Sequence, residues 1–237
     1  MILSIIIPAY NEQNTINAIL QRIKEVDLIE NIEKEIIIVN DCSVDNTEQE
    51  LNKYINENND LKIIYYKQPF NQGKGAAIHE GIRLASGDFI IVQDADLEYD
   101  PQEYNILLKP IIDGFADVVY GSRFMGGKPH RVLFFWHSIG NKFLTFISNS
   151  LTNLNLTDME TCYKLFKAEY LKQLNLKEKR FGFEPEVTSK ISRKENVRIY
   201  EVGISYYGRT SKEGKKISWE DGFRALYCLI KYNIFQT

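Results

Sequence analysis

Cysteine is scarce in this chain and scattered. Cys42, Cys162 and Cys228 form no C-x-x-C pair, so neither a zinc site nor a disulfide framework is indicated, and a reducing, cytoplasmic setting is expected. The three histidines, His79, His130 and His137, have no metal-ligand spacing either. A basic excess is also missing: 29 Lys and Arg against 32 Asp and Glu leave a net charge of −3, which argues against a nucleic-acid partner. No stretch approaches the roughly 18 consecutive apolar residues of a membrane span. The opening Met1-Ile2-Leu3-Ser4-Ile5-Ile6-Ile7-Pro8 lacks the basic start and small-residue cleavage site of a signal peptide and reads as a first strand. Membrane contact is thus expected to be peripheral, at the cytoplasmic face, or to run through a partner; a membrane protein or a second copy of the chain is the expected protein partner. Repeats, low-complexity tracts and linkers are absent as well. With 237 residues, 44% of them hydrophobic, the chain is expected to form one domain over 1–237.

What is there is a rhythm. Short apolar runs at 3–7, 35–39, 61–66, 89–92 and 117–120 alternate with segments of helical spacing, which predicts an α/β fold with a mostly parallel sheet and helices on both faces. The first helical segment carries Ile16, Ile19, Leu20, Ile23 and Val26, with Asn11 or Asn14 as its expected cap. Others are expected after Asp45, after Gly73-Lys74-Gly75 and after Asp100-Pro101, where proline suits a first turn. Beyond Tyr120 the rhythm breaks. A Gly-rich segment leads into an apolar-periodic stretch at 132–151, then strand-like pieces at 162–166 and 197–207 flank a helix at 185–193, and a last helix covers 219–232.

In open α/β sheets, ligands bind outside the carboxyl ends of the strands. The polar clusters after the strands should therefore meet at one rim: residues 9–12, 40–43, 67–74, 94–96 and 121–123. Asp94-Ala95-Asp96 is the most telling of them. If extended, it aims two carboxylates to one side. Mg²⁺ or Mn²⁺ takes one or two such carboxylates and leaves its other positions for substrate phosphates, so the pair suggests a metal-bound diphosphate.

Pro8-Ala9-Tyr10-Asn11-Glu12, Asn40-Asp41-Cys42-Ser43-Val44-Asp45-Asn46-Thr47, Asn71-Gln72-Gly73-Lys74-Gly75 and Asp94-Ala95-Asp96 together resemble the family 2 glycosyltransferases of GT-A fold. Tyr120-Gly121-Ser122-Arg123, Thr157-Asp158-Met159-Glu160-Thr161-Cys162-Tyr163-Lys164 and Tyr206-Tyr207-Gly208-Arg209 look most like the branch of polyprenyl- and dolichyl-phosphate hexosyltransferases. The resemblance implies a GT-A, Rossmann-like sheet with a C-terminal acceptor-side elaboration. Residues 1–121 would form the nucleotide-sugar half and 122–237 the acceptor half. The donor would be of the UDP-glucose or GDP-mannose type, bordered by Pro8, Tyr10, Glu12, Asp41, Gly73, Lys74, Asp94 and Ala95, with Gly73 and Gly75 allowing backbone to approach it. Asp96, Asp94 and Glu98 would hold Mg²⁺ or Mn²⁺. Asn40 and Cys42 depart from the common pattern, in which an acid and a glycine stand at those places.

The acceptor leaves two mechanisms open. A lipid phosphate is already anionic and needs cations to hold it, for which Arg123, Arg131 and Arg209 are the candidates. A hydroxyl of a lipid or surface glycan needs a general base, and Asp158, Glu160 and Glu184 are available. The five large apolar residues at 132–136, beside Arg131, suggest lipid contact. A nucleotidyltransferase is a third reading, but those enzymes open with a Gly-rich, basic phosphate loop where this chain has Pro8-Ala9-Tyr10-Asn11-Glu12.

Overall fold

In the computed structural model, which describes residues 1–132, 135–209 and 219–235, the aliphatic runs become strands with buried centres. Strands β1 (Ile2–Ala9), β2 (Glu33–Asn40), β4 (Phe89–Val92) and β5 (Val118–Ser122) are almost wholly buried, as expected of parallel strands covered by helices on both faces. Strands β3 (Ile63–Lys67), β6 (Lys164–Lys167) and β7 (Ile199–Gly203) complete a seven-stranded sheet of order β3-β2-β1-β4-β6-β5-β7. All pairings are parallel except those of β6, which runs antiparallel to both β4 and β5. The fold is thus α/β with a mostly parallel mixed sheet. β1, β2, β3, β4, β5 and β7 end at the same rim. The two edge strands, β3 and β7, are half-exposed.

Helices α1 (Ile16–Lys24), α2 (Thr47–Glu57), α3 (Lys74–Leu84) and α4 (Tyr104–Ile112) bury the apolar stripes expected of them. Neither Asn11 nor Asn14 caps α1. Thr15 holds the cap position without a side-chain bond, while Asn11, at φ 53°, accepts from the Val44 amide and so ties the first rim loop to the second. Asp100 caps a short 3₁₀ turn containing Pro101 by accepting from the Gln102 amide at 3.0 Å.

The later half holds α5 (Phe135–Thr152), α6 (Ala168–Lys172), α7 (Phe183–Ile191) and α8 (Trp219–Ile230), the last running into a π-helical turn at Lys231–Phe235. Helix α6 was not foreseen. The strand-like stretch 197–207 shortens to β7, and α7 begins two residues earlier than expected, with Pro185 in its first turn, where no intrahelical donor is lost. The expected helix start at 132 lies upstream of Phe135, and residues 133 and 134 fall outside the described residues, as does the polar stretch at 210–218.

Candidate active site

One cavity of about 1050 Å³ opens at the rim and is lined by residues from all five strand-end clusters. Every expected site residue lines it except Gly75 and Asp158. Tyr10 is exposed at one part of its wall, and Glu12 takes a hydrogen bond from the Thr15 hydroxyl at 2.8 Å. Asp41 is buried and works as a loop anchor: its two oxygens accept the Gln72 and Gly73 amides at 2.7 and 2.8 Å.

The glycines of Gly73-Lys74-Gly75 are required for a reason other than donor approach. A Cβ on Gly73 would lie 2.5 Å from the Lys179 carbonyl oxygen, and one on Gly75 would lie 2.2 Å from that of Glu178. The segment 178–180 presses against the start of α3, and Gly73 also sits at φ 100°. Cys42 has φ 59°, the left-handed conformation that favours glycine and costs other residues strain. Asn40, in place of an acid, keeps both ends of its amide in use: it accepts from the Ser43 amide and donates to the Tyr65 hydroxyl.

Strand β4 stops at Val92, so Asp94 and Asp96 leave the sheet on a turn, followed by Leu97 at φ 64°. Their approach to the same cavity is set by that turn and not by strand alternation. Lys74 Nζ lies 2.8 Å from Asp94 Oδ1 and 3.6 Å from Glu184 Oε1. Burial disfavours the ammonium charge, but Asp94, Cys162 and Glu184 outweigh it and hold the Lys74 pKa well above the usual lysine value. Arg209 Nη2 lies 2.8 Å from Asp96 Oδ2. Glu98 lines the cavity and is already engaged: its carboxylate accepts the Tyr206 hydroxyl at 2.6 Å and the Arg209 amide at 2.7 Å.

Among the described residues no group of three His, Cys, Asp or Glu side chains is arranged to hold a metal. Asp94 and Asp96 nevertheless suit Mg²⁺ or Mn²⁺ bound with a diphosphate, which needs only one or two protein carboxylates. Burial, then the neighbouring Asp94 and Glu98 carboxylates, push the Asp96 pKa up to about 7 against the pull of Arg209. Such crowding of acid groups is relieved by a cation.

On the acceptor side, two expectations give way together. Arg123 and Asp158 are spent on each other: Nε and Nη2 of Arg123 donate to the two Asp158 oxygens at 2.6 and 2.7 Å, and the Arg123 amide and Asn141 complete the shell. The guanidinium fork that would match a phosphate is therefore occupied, and its face packs over the Tyr206 ring. Asp158 is fully buried and does not line the cavity; burial raises its carboxyl pKa, but Arg123 and Asn141 bring it below the usual range. Arg131 donates to the Gly208 carbonyl at 2.8 Å and lines the cavity beside Val132 and Trp136.

Glu160 and Glu184 remain, and sequence reasoning missed their neighbour Lys164. Lys164 is buried at the start of β6 and donates to the Thr161 carbonyl. Burial first, then Glu184, push the Glu160 carboxyl up to about 8. Its Oε1 is closed off from solvent and has no hydrogen-bond partner. Nothing in a single acid at the end of a polar loop announces such a pairing; it needs the antiparallel β6 to bring loop and α7 together.

The profile of the family described as Glycosyl transferase family 2 matches residues 4–174. The chain is similar to the dolichol-phosphate mannosyltransferase of Pyrococcus furiosus, at 26% identity over 98% of this chain and 64% of that protein. It is similar also to a dolichyl-phosphate beta-glucosyltransferase of Trichomonas vaginalis, at 28% identity over 98% of this chain and 73% of that protein. In fold it is similar to the glucosyl-3-phosphoglycerate synthase of Mycobacterium tuberculosis in complex with Mn²⁺, UDP and phosphoglyceric acid, with a TM-score of 0.71 at 18% identity, covering 97% of this chain and 77% of that one. Another structure of that synthase holds Mg²⁺ and UDP.

Proposed function

This chain belongs to glycosyltransferase family 2, and we propose that it moves a hexose from a nucleotide sugar to a polyprenyl phosphate, with inversion at the anomeric carbon. The observation that carries this reading is that one cavity joins the Asp94 and Asp96 carboxylates at one wall to Arg131, Val132 and Trp136 at another. A site for a diphosphate and a site for a lipid-borne anion thus share one space. The similarity to dolichyl-phosphate hexosyltransferases supports the same acceptor class. Residues 1–121 hold the donor on this reading and 122–237 shape the acceptor side.

The residues have distinct tasks in it. Tyr10, Glu12 and the loop anchored by Asp41 border the nucleoside. Lys74 faces the diphosphate, with Asp94 fixing its ammonium. Asp96 and Asp94 would hold a divalent cation, which as a Lewis acid would stabilise charge on the departing diphosphate. Arg131 and Arg209 orient the acceptor phosphate. One of its oxygens attacks the anomeric carbon opposite the nucleotide; the new C–O bond forms as the bond to the diphosphate oxygen breaks, and the electron pair leaves with the nucleoside diphosphate. The attacking oxygen carries no proton to remove. That suits a site where Asp158 is spent on Arg123 and Glu160 is held protonated near neutral pH. The alternative, a hydroxyl acceptor, would leave Glu184 to serve as base.

The test is nucleotide release. The protein is incubated with Mn²⁺ and a panel of UDP and GDP sugars, with and without a short polyprenyl phosphate. Release that requires the polyprenyl phosphate is expected. It should vanish in excess chelator and fall at least about a hundredfold in Asp96→Asn, the scale on which transition-state charge stabilisation is lost. Release that responds only to a glycolipid hydroxyl would replace this acceptor with the other.

A further inference from the structure

The site has an acid that the transfer step does not use, Glu160, half-buried and with one carboxyl oxygen closed off from solvent. Glu160 lines the cavity, its Oε1 lacks a partner, and the groups facing it come from four elements: Glu184 on α7, Lys164 on β6, Arg123 after β5, and Asp158 on its own loop. Lys74 bridges from Asp94 toward Glu184, so this acid pair lies one side chain beyond the diphosphate wall. A pair of acids is a poor seat for a phosphate, because two carboxyls repel an anion. It is a good seat for a polyol: an uncharged carboxyl both donates and accepts, and the neighbouring carboxylate accepts again.

We infer that Glu160, which lines the cavity together with Glu184, reads a hydroxyl of the transferred sugar and so sets donor specificity. The inference rests on the glycosyltransferase reading and names the sugar-recognition element within it. Carboxyls placed to hydrogen-bond a sugar hydroxyl discriminate strongly against a ligand that lacks it, which gives the two acids selective power over epimers and deoxy sugars. Since burial and Glu184 hold the carboxyl protonated up to about pH 8, donor binding should weaken as pH rises through that value.

The experiment compares binding of a nucleotide sugar with binding of its bare nucleoside diphosphate, both with Mn²⁺, by calorimetry. UDP-glucose with UDP and GDP-mannose with GDP are the probes. Glu160→Ala should weaken the sugar nucleotide roughly tenfold, the scale of one hydrogen bond, and leave the diphosphate unchanged. Glu160→Gln, which keeps a donor and an acceptor but cannot ionise, should restore most of the binding and abolish the alkaline loss. The deoxy sugar lacking the hydroxyl that is read should bind the parent and Glu160→Ala alike. Equal losses for sugar nucleotide and diphosphate, or a folded Glu160→Gln no better than Glu160→Ala, would overturn the inference while leaving the transferase reading in place. A parent protein that binds neither pair overturns both.

Discussion

The sheet and helix α5 solve the problem of burial in opposite ways. Strands β1, β2, β4 and β5 hide Ile, Val and Leu side chains, most of them with no exposed surface at all. Helix α5 is turned inside out by comparison: it buries Asn141, Thr145 and Ser148, and exposes Phe135, Trp136, Ile139, Phe143 and Phe146. Its buried face is knitted by polar bonds, with Asn141 to Asp158 and Thr145 to the Met159 amide. Helix α8, packed against α5, likewise exposes Phe223 and Tyr227. A helix with a wholly soluble life buries its apolar stripe. The first region hides its apolar side chains within the fold, whereas the second leaves many of its own uncovered.

The largest expected effect tests the polar knit. Arg123→Ala strands Asp158 as an unpaired buried charge and should cost about 3–5 kcal/mol of stability, measured by denaturant unfolding. Replacing both partners, Arg123→Met with Asp158→Leu, should recover much of that loss, because two apolar groups leave no charge unmatched. A single variant as stable as the parent would mean that the seam beside α5 is held by ordinary packing, and the contrast with the sheet would collapse.

The sheet half was readable in advance because its signals are local. Aliphatic runs such as Ile5-Ile6-Ile7 and Ile36-Ile37-Ile38 dictate buried strands by themselves, and the strand-end rule then brings Tyr10, Asp41, Lys74 and Asp94 to one cavity. The sequence was less informative where a side chain's partner lies far along the chain. Arg123 looks like a free phosphate clamp until Asp158, 35 residues on, closes over it. Glu98 looks unengaged until Tyr206 and Arg209 arrive from beyond β7. Gly73 lines the cavity as expected, but the segment 178–180 that packs onto Gly73 and Gly75 cannot be read from their own stretch of sequence. Antiparallel β6 breaks the βαβ rhythm, and no periodicity announces which earlier strands it will separate.

A smaller effect concerns how α8 is fastened. Glu178 accepts Arg224, Lys231 and the Tyr232 hydroxyl, and its backbone lies against Gly75. Burial raises its carboxyl pKa, but those three bonds dominate and depress it to about 2. A depressed folded pKa gives stability that is present above the unfolded value of about 4.3 and is lost as pH falls through the folded one. The melting difference between the parent and Glu178→Gln should therefore be widest above pH 5 and close toward pH 2, with about 1.5–3 kcal/mol at stake for a hydrogen bond to a charged group. A gap that stays constant with pH would assign Glu178 no electrostatic part in holding α8.

The smallest change in stability carries the sharpest test of the contrast. No helix among the described residues is long and apolar enough to cross a membrane. The exposed face of α5 continues from Val132, 90% exposed, and Trp136, 78% exposed, beside Arg131 and close in sequence to Lys142; Leu133 and Phe134, the middle of that apolar run, lie outside the described residues. Aromatics in the acyl boundary with cations at the headgroups are what an interfacial helix offers. Because Phe143 and Phe146 are 53% and 66% exposed, replacing both by Ser should change stability by no more than about 0.5 kcal/mol. The same double variant should sediment far less with vesicles containing anionic lipid, and binding by the parent should weaken with added salt, as headgroup attraction is screened within roughly a Debye length. A variant that unfolds more easily would put these rings in the core after all. One that stays folded and still binds would move the contact to α8, where Phe223→Ser with Tyr227→Ser is the matching test.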